Sequence, residues 1–401
     1  MIRAMVDGGP RLMLRNVLTL GLFLRLLVAV WNGYFGPSFG AKDDALGFHL
    51  AAVEYAKHAG PQGFTIGLVF SHWLGIVYSL TTDSLFLGSL LSVLTWLASA
   101  LTLLGIMRLL AITQPRQFWA LLIYAVLPSS VLYTAVTLRE VYELLFVNLS
   151  VYAGLSIFMG RSPAHWLLLL GAVAAMGSLH PALLAFGLVL IVGAWIVPLV
   201  AKARHNSAGK NTWIVLAAVM MAAAGLLIFT HFIRRFDHGL PAAVETYRRG
   251  QLTTARTQYV DDVIIDGFSG LLLYMPGALF QYLFEPMPWR ISGIADLEIL
   301  FENLLRAWLI WRALAGLRLV PAPLRVSVSL VFLSYLLLET TMSSGTINWG
   351  TASRHHIPSI GLLLAAAFAA PRARRRRRKS VGRVDRAELA TRGGPGLEPT
   401  G

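Results

Sequence analysis

Residues 85–107 read LFLGSLLSVLTWLASALTLLGIM, twenty-three positions without one charged side chain. As a helix this run is about 35 Å long, enough to cross the ~30 Å hydrocarbon core of a bilayer. In lipid every backbone N–H and C=O must find its partner inside the segment, so a single apolar run of this length is a helix. Working outward, similar runs recur at about 14–35, 117–137, 140–159, 166–179, 181–201, 212–232, 296–314, 323–341 and 356–371. The chain of 401 residues is 56% hydrophobic and only 13% charged, about half the charge of an ordinary soluble domain. The fold class expected is an all-α multi-pass membrane protein with about ten transmembrane helices. With no cysteine, disulfide staples, zinc–thiolate sites and thiol nucleophiles are excluded, which leaves carboxylates, histidines, arginines and amides to carry any chemistry.

Two more apolar stretches are ambiguous: 63–80, which holds His72, and 269–284, which is interrupted by Pro276. They are read as interfacial or re-entrant helices on the outer face. Lys and Arg collect on the cytoplasmic side of membrane proteins. With Arg3, Arg11 and Arg15 inside, ten spans also put Arg108, Arg116, Arg161, Lys202, Arg204, Lys210, Arg318 and Arg325 inside. Both termini are then cytoplasmic, in a multi-pass protein of the cell membrane. The net charge is +14, and from Arg372 onward ten Lys/Arg face three acids, half of the whole excess. A basic run directly after an apolar helix is an anchor for anionic headgroups rather than a nucleic-acid-binding arm. The organisation expected is a polytopic domain over 1–371, with external loops at 36–62 and 233–268, and a basic disordered tail over 372–401.

In this topology the polar residues that break the apolar pattern share the outer face. In the first external loop, Asp43 and Asp44 open a helical pattern of apolar Leu46, Leu50, Val53 and Ala56, or Phe48, Ala52 and Tyr55, expected to lie along the membrane surface. The two acids are either a helix cap and first-turn charge or a general base or metal ligand facing a lipid-borne substrate. Arg139-Glu140 sits between two apolar runs with almost no loop. It is either a solvated hairpin or an acid and a phosphate clamp lining a path between helices. His49, His180 and His355 are candidates for substrate contacts, with packed histidines as the bland alternative. Phe284 to Arg290 carries two prolines and Trp289, a rigid interfacial turn. Arg354 opens the last run on the arginine-poor outer side, where it calls for an anionic partner. A divalent ion between Asp44 and Glu140 is compatible with these residues but not required by their spacing, and no other cofactor is implied. The sequence has neither a phosphate-binding Gly-rich loop with Lys-Ser/Thr nor a His-Glu-x-x-His motif.

Taken in order, Asp43-Asp44 with Phe48-His49, the stretch Gly67 to Leu80, Leu127-Pro128 through Leu138-Arg139-Glu140, His180-Pro181, Pro286-Met287-Pro288-Trp289 and Gly350 through Ser353-Arg354-His355 resemble the integral-membrane GT-C glycosyltransferases. This is the class of protein mannosyltransferases and aminoarabinose transferases, and the likeness is to its branch found in bacterial polysaccharide clusters. The resemblance implies a polyprenyl-phosphate-linked sugar donor and a glycan, lipid or protein acceptor, with transfer on the extracytoplasmic face. It places the base on Asp44, with Asp43 as second choice, a further acid on Glu140, and the donor phosphate against Arg139 and Arg354. The chain departs from the family in having two adjacent aspartates in place of Asp-x-Asp. Two rivals stay open: a polysaccharide polymerase, which also works outside on lipid-linked repeats, and a flippase or transporter, for which broken helices and internal repeats are the sign. No internal repeat is visible.

Overall fold

The computed structural model describes residues 10–36, 41–58, 68–203, 241–242, 244–245, 248, 257–259, 265 and 267–370. Among these the chain forms helices and no strand, with one isolated antiparallel bridge between Gln258 and Asn348. The helices are α1 (Pro10–Tyr34), α2 (Lys42–His58), α3 (Val69–Leu80), α4 (Leu85–Leu109), α5 (Gln114–Val126), α6 (Pro128–Tyr133), α7 (Glu140–Phe158), α8 (Ala164–Leu179), α9 (Pro181–Ala203), α10 (Gly267–Phe284), α11 (Ile294–Leu317), α12 (Ala322–Ser343), α13 (Trp349–His355) and α14 (Ile357–Ala369). A 3₁₀ turn covers Pro288–Arg290. Among the described residues four helices are long and apolar enough to cross a membrane: α1 from Leu12, α4, α7 and α12. The chain is therefore an all-α, membrane-associated protein.

Several runs differ from their expected form. The stretch 117–137 is not one helix. Pro128 lacks an N–H and drives Leu127 out of the helical region (ψ 121), so α5 stops at Val126 and the short α6 restarts beyond it. The stretch 63–80 is helical from Val69 over twelve residues, about 18 Å, too short to span. In α10 the helix runs through Pro276. The expected span 212–232, most of the loop 233–268 and the tail 372–401 lie outside the described residues.

The core is organised around α14, whose thirteen residues are all buried. A helix apolar on every face has no side to offer water and belongs in the centre of a bundle. It packs against α4, α5, α7, α11 and α12. Gly361 makes this close approach feasible, because a Cβ there would lie 2.8 Å from Asn148 Oδ1 of α7. Asn148 in turn donates to Ser99 Oγ (2.9 Å), which is bonded to the Tyr124 hydroxyl (2.7 Å), so one buried polar link ties α7 to α4 and α5.

The break at Pro128 is closed from both sides. The amide that would serve the Ala125 carbonyl, Ser129 N–H, donates instead to Glu302 Oε1 of α11 (2.8 Å), and Ser129 Oγ donates to Oε2 (2.6 Å). Arg25 of α1, fully buried, supplies the missing donor: Nη1 reaches Ala125 O (2.8 Å) and Gly21 O (3.2 Å). Its Nε donates to Thr134 Oγ1 (2.7 Å), Nη2 donates to Ser130 Oγ (2.9 Å), and the guanidinium stacks 3.8 Å from the Trp96 ring centre. A charge in the interior is tolerated because nearly every N–H has an acceptor.

Helix α2 packs on α3. Ala52, with Phe48, Val53 and Ala56, packs with Phe70, Leu74 and Tyr78, while Leu50 is exposed. Members of both apolar patterns read from the sequence thus meet α3. Gly75 allows the contact, since a Cβ there would meet Ala52 O at 2.8 Å.

Candidate functional site

Four helix ends meet at one place. Asp44 stands in the first turn of α2, Arg139 and Glu140 at the start of α7, His180 between α8 and α9, and Arg354-His355 at the end of α13. Helix α13 is set by its N-cap, Asn348, whose Oδ1 accepts from Thr351 N–H (2.7 Å). Trp349 anchors the same end by donating from Nε1 to Asp296 Oδ1 (3.0 Å), and Arg290 of the proline turn stacks 4.7 Å from its ring. The expected rigid turn is present: Arg290 pairs with Glu285 (3.0 Å), and Trp289 is exposed.

Arg354 joins two carboxylates. Its Nη1 donates to Asp44 Oδ2 in a short ion pair, and its Nε lies 3.6 Å from Glu140 Oε1. Asp44 is half exposed, whereas Glu140 is buried with Oε2 making no hydrogen bond. Burial opposes the charge on Arg354, but Glu140 and Asp44 more than offset this and hold its pKa above the usual value. Arg139 lies alongside, with Nε 3.4 Å from Glu143 Oε1 and Nη1 donating to Leu179 O (3.2 Å). The Phe48 ring of α2 sits beneath its guanidinium at 5.9 Å. The buried site thus holds three carboxylates, Asp44, Glu140 and Glu143, against two guanidinium groups.

Burial favours the neutral form of His180 and His355. His180 and His355 stand edge to face, ring centres 5.9 Å apart. Burial, with Arg139 nearby, pulls the His180 pKa down to about 3. Burial, then His180 and Arg354, pull His355 well below its ordinary value. Their tautomers follow from their partners. Ala182 N–H donates to His180 Nδ1 (3.1 Å), so the proton of this ring is on Nε2. Thr346 gives its hydroxyl proton to Met342 O (2.8 Å) and so accepts from His355 Nδ1 (2.9 Å), which leaves His355 Nε2 as a lone pair.

Of the residues picked out in the sequence, Asp44, Arg139, Glu140, His180, Arg354 and His355 come together. Asp43 is exposed and enters no ion pair among the described residues. His49 faces elsewhere: its Nδ1 is bonded to the Tyr78 hydroxyl (2.9 Å), and burial, partly countered by Asp83, lowers its pKa. Glu143 and Tyr133 were not singled out by sequence. Glu143 lies one turn beyond Arg139 on the same helix, a spacing that was the available signal. Tyr133 reaches the site through its hydroxyl, 3.5 Å from Ser353 Oγ, and nothing in the sequence marks it. Asp44 and Glu140, the acids available for a divalent ion, are bridged by the Arg354 guanidinium. Among the described residues no three His, Asp or Glu side chains are grouped to hold a metal.

No family model, no curated protein and no solved structure matches this chain. The geometry defines the class reached so far, an all-helical membrane-associated protein with a buried cluster of acids, arginines and neutral histidines beside the water-exposed Asp44.

Proposed function

We propose that the chain is a membrane glycosyltransferase that moves a sugar from a polyprenyl-phosphate donor to a glycan, lipid or protein acceptor on the extracytoplasmic face of the cell membrane. The observation that carries this reading is the convergence of Asp44, Glu140 and Arg354, with Arg139 alongside, at the ends of apolar helices. A carboxylate open to water and arginines set back in the protein suit a reaction in which a proton is taken on one side and a phosphate departs on the other.

In the proposed step the acceptor hydroxyl oxygen bonds to the anomeric carbon, with inversion, and its proton passes to the Asp44 carboxylate. The bond from that carbon to the phosphate oxygen breaks, and its electron pair leaves with the lipid phosphate. Arg139 and Arg354 stabilise the departing charge. A phosphate arriving at Arg354 competes with Asp44 for the guanidinium and frees the carboxylate to act as base. His355 Nε2, a lone pair beside both arginines, accepts a hydroxyl proton of the substrate and orients it.

The test is transfer of labelled sugar from purified polyprenyl-phosphate sugars by the protein in liposomes, with Asp44→Asn and Glu140→Gln alongside. Transfer lost in Asp44→Asn supports the reading. Chain extension with lipid-linked oligosaccharides, but no transfer from monosaccharide donors, points to a polymerase. A transporter is favoured by one feature, the interrupted helix α5–α6, but Arg25 and Glu302 close that break from both sides. Unimpaired lipid-linked sugar translocation by Asp44→Asn, with no transfer by any form, would move the assignment there.

A further inference from the structure

His356 follows His355 in the chain but belongs to a second buried polar cluster, which the proposed reaction does not use. Its Nδ1 is 2.7 Å from Glu339 Oε2, and its Nε2 donates to Tyr282 O (3.0 Å). The carbonyl can only accept, so Nε2 carries a proton. A second proton must lie between Nδ1 and the carboxylate, since two lone pairs would repel at this distance. Whichever atom holds it, the His356–Glu339 pair has no net charge. Ser359 Oγ donates to the other oxygen of Glu339.

Beside this pair lie Tyr282, its ring centre 4.2 Å from that of His356, and Tyr335, with Tyr259 next to Tyr282; all three are buried, and their hydroxyls make no hydrogen bond among the described residues. Native proteins pair nearly all such groups, with protein, water or ligand. The three are not scattered. Tyr282 is in electrostatic range of Tyr259, Tyr335, Glu339 and Arg306. Arg306 is the one charged group shared by the surroundings of all three.

Arg306 of α11 is buried and forms no ion pair among the described residues; its Nη1 donates to Asn303 Oδ1. Glu302 lies in electrostatic range of it, but both its oxygens accept from Ser129. Glu285 is matched by Arg290. Arg25 is the instructive contrast, a buried arginine without a carboxylate whose N–H groups reach four acceptors in the protein. That is how a structural arginine is satisfied. Arg306 has one such acceptor and three idle phenol donors around it, and a guanidinium with hydroxyl donors is the chemistry that binds phosphate oxygens. Ionisable groups inside a membrane bundle mark substrate paths.

We infer that Arg306 with the hydroxyls of Tyr259, Tyr282 and Tyr335 forms a second, buried site for a phosphate group, carried by a lipid headgroup or by a soluble phosphate.

The experiment uses the full-length protein in detergent and reads its melting temperature. One titration adds inorganic phosphate against chloride at matched ionic strength; another adds short-chain phosphatidic acid below its micellar concentration. The wild type is expected to be stabilised by at least one. Stabilisation by inorganic phosphate identifies a soluble ligand, and stabilisation by the lipid alone identifies a headgroup. Arg306→Gln is expected to abolish the response. Tyr282→Phe and Tyr335→Phe are expected to weaken half-saturation about tenfold, as for loss of one hydrogen bond to a charged group. These two variants should leave the ligand-free melting temperature unchanged or higher, because neither hydroxyl has a protein partner to lose. They carry the test even if Arg306→Gln does not fold. No response to either ligand, an undiminished response in both phenylalanine variants, or a drop of several degrees in their ligand-free melting temperature overturns the site. The readout is binding, so its outcome is separate from that of sugar transfer.

Discussion

Arg354 and Asp44, 310 residues apart in the chain, form an ion pair where several helices end, and Glu140 lies 3.6 Å from the same guanidinium. The two carboxylates are unequal. Asp44 meets water on its far side, so its pair with Arg354 adds little to stability, about 0–1 kcal/mol. Glu140 is buried, and the Arg354 guanidinium is the cation that faces it at 3.6 Å.

Arg354→Gln is therefore expected to destabilise the protein by about 3 kcal/mol, since it strands a buried carboxylate. Adding Glu140→Gln should recover part of this loss, with a coupling of about 1–3 kcal/mol in a double-mutant cycle. Asp44→Asn should cost under about 1 kcal/mol while lowering sugar transfer by about 10²–10⁴, the range for loss of a general base. Denaturation in mixed micelles measures the stabilities. A destabilised Asp44→Asn would remove the separation between stability and activity.

The neutral histidines make stability depend on pH. His180 and His355 have pKa values below the ordinary value in the folded protein, so below about pH 6.5 the unfolded chain binds more protons than the folded one. Their contribution is complete above that pH and is lost as pH falls toward the folded values, about 3 for His180. The melting temperature should thus fall between pH 7 and pH 5. In His180→Asn the amide oxygen can still accept from Ala182 N–H, so stability at pH 7.5 should be kept while the slope shrinks by up to one proton. An unchanged slope would show that His180 is already charged.

Arg25 closes the break between α5 and α6, and Lys cannot replace it, because a single ammonium cannot reach acceptors as spread as Ala125 O, Ser130 and Thr134. Both Arg25→Lys and Arg25→Leu should destabilise by about 2–4 kcal/mol, as several buried acceptors or donors lose their partner together. Arg15, exposed on the same helix, is the control, and its change to Ala should stay within about 0.5 kcal/mol.

The absence of cysteine allows the topology to be read chemically. In intact cells a membrane-impermeant maleimide should label Asp43→Cys, which is exposed, and should label Ser380→Cys only after permeabilisation. The reverse pattern would invert the orientation and put the Asp44 cluster in the cytoplasm.

The site residues that met were legible because each interrupts an apolar run where an interruption is costly. Asp44, Arg139, Glu140, His180, Arg354 and His355 all stand at the edge of such a run. Glu302, Arg306 and Glu339 lie inside helical stretches, where composition alone reads them as dilution of an apolar segment. Glu302 and Glu339 find their partners far along the chain, in Ser129 and His356, and the phenols near Arg306 also lie outside its helix. Arg25 escaped notice for the same reason.

By itself the sequence determined that the chain is helical and membrane-associated, because helix hydrogen bonds are local and long apolar runs exclude water as a partner. The break at Pro128, by contrast, falls inside the stretch 117–137 that reads as a single span in the sequence, although its cause, a missing N–H, is local. Which acid meets which arginine, which histidine stays neutral and which phenol lacks a partner were decided only by the tertiary structure. Those relations arise from helices distant in sequence packing around α14, and no spacing along the chain encodes them.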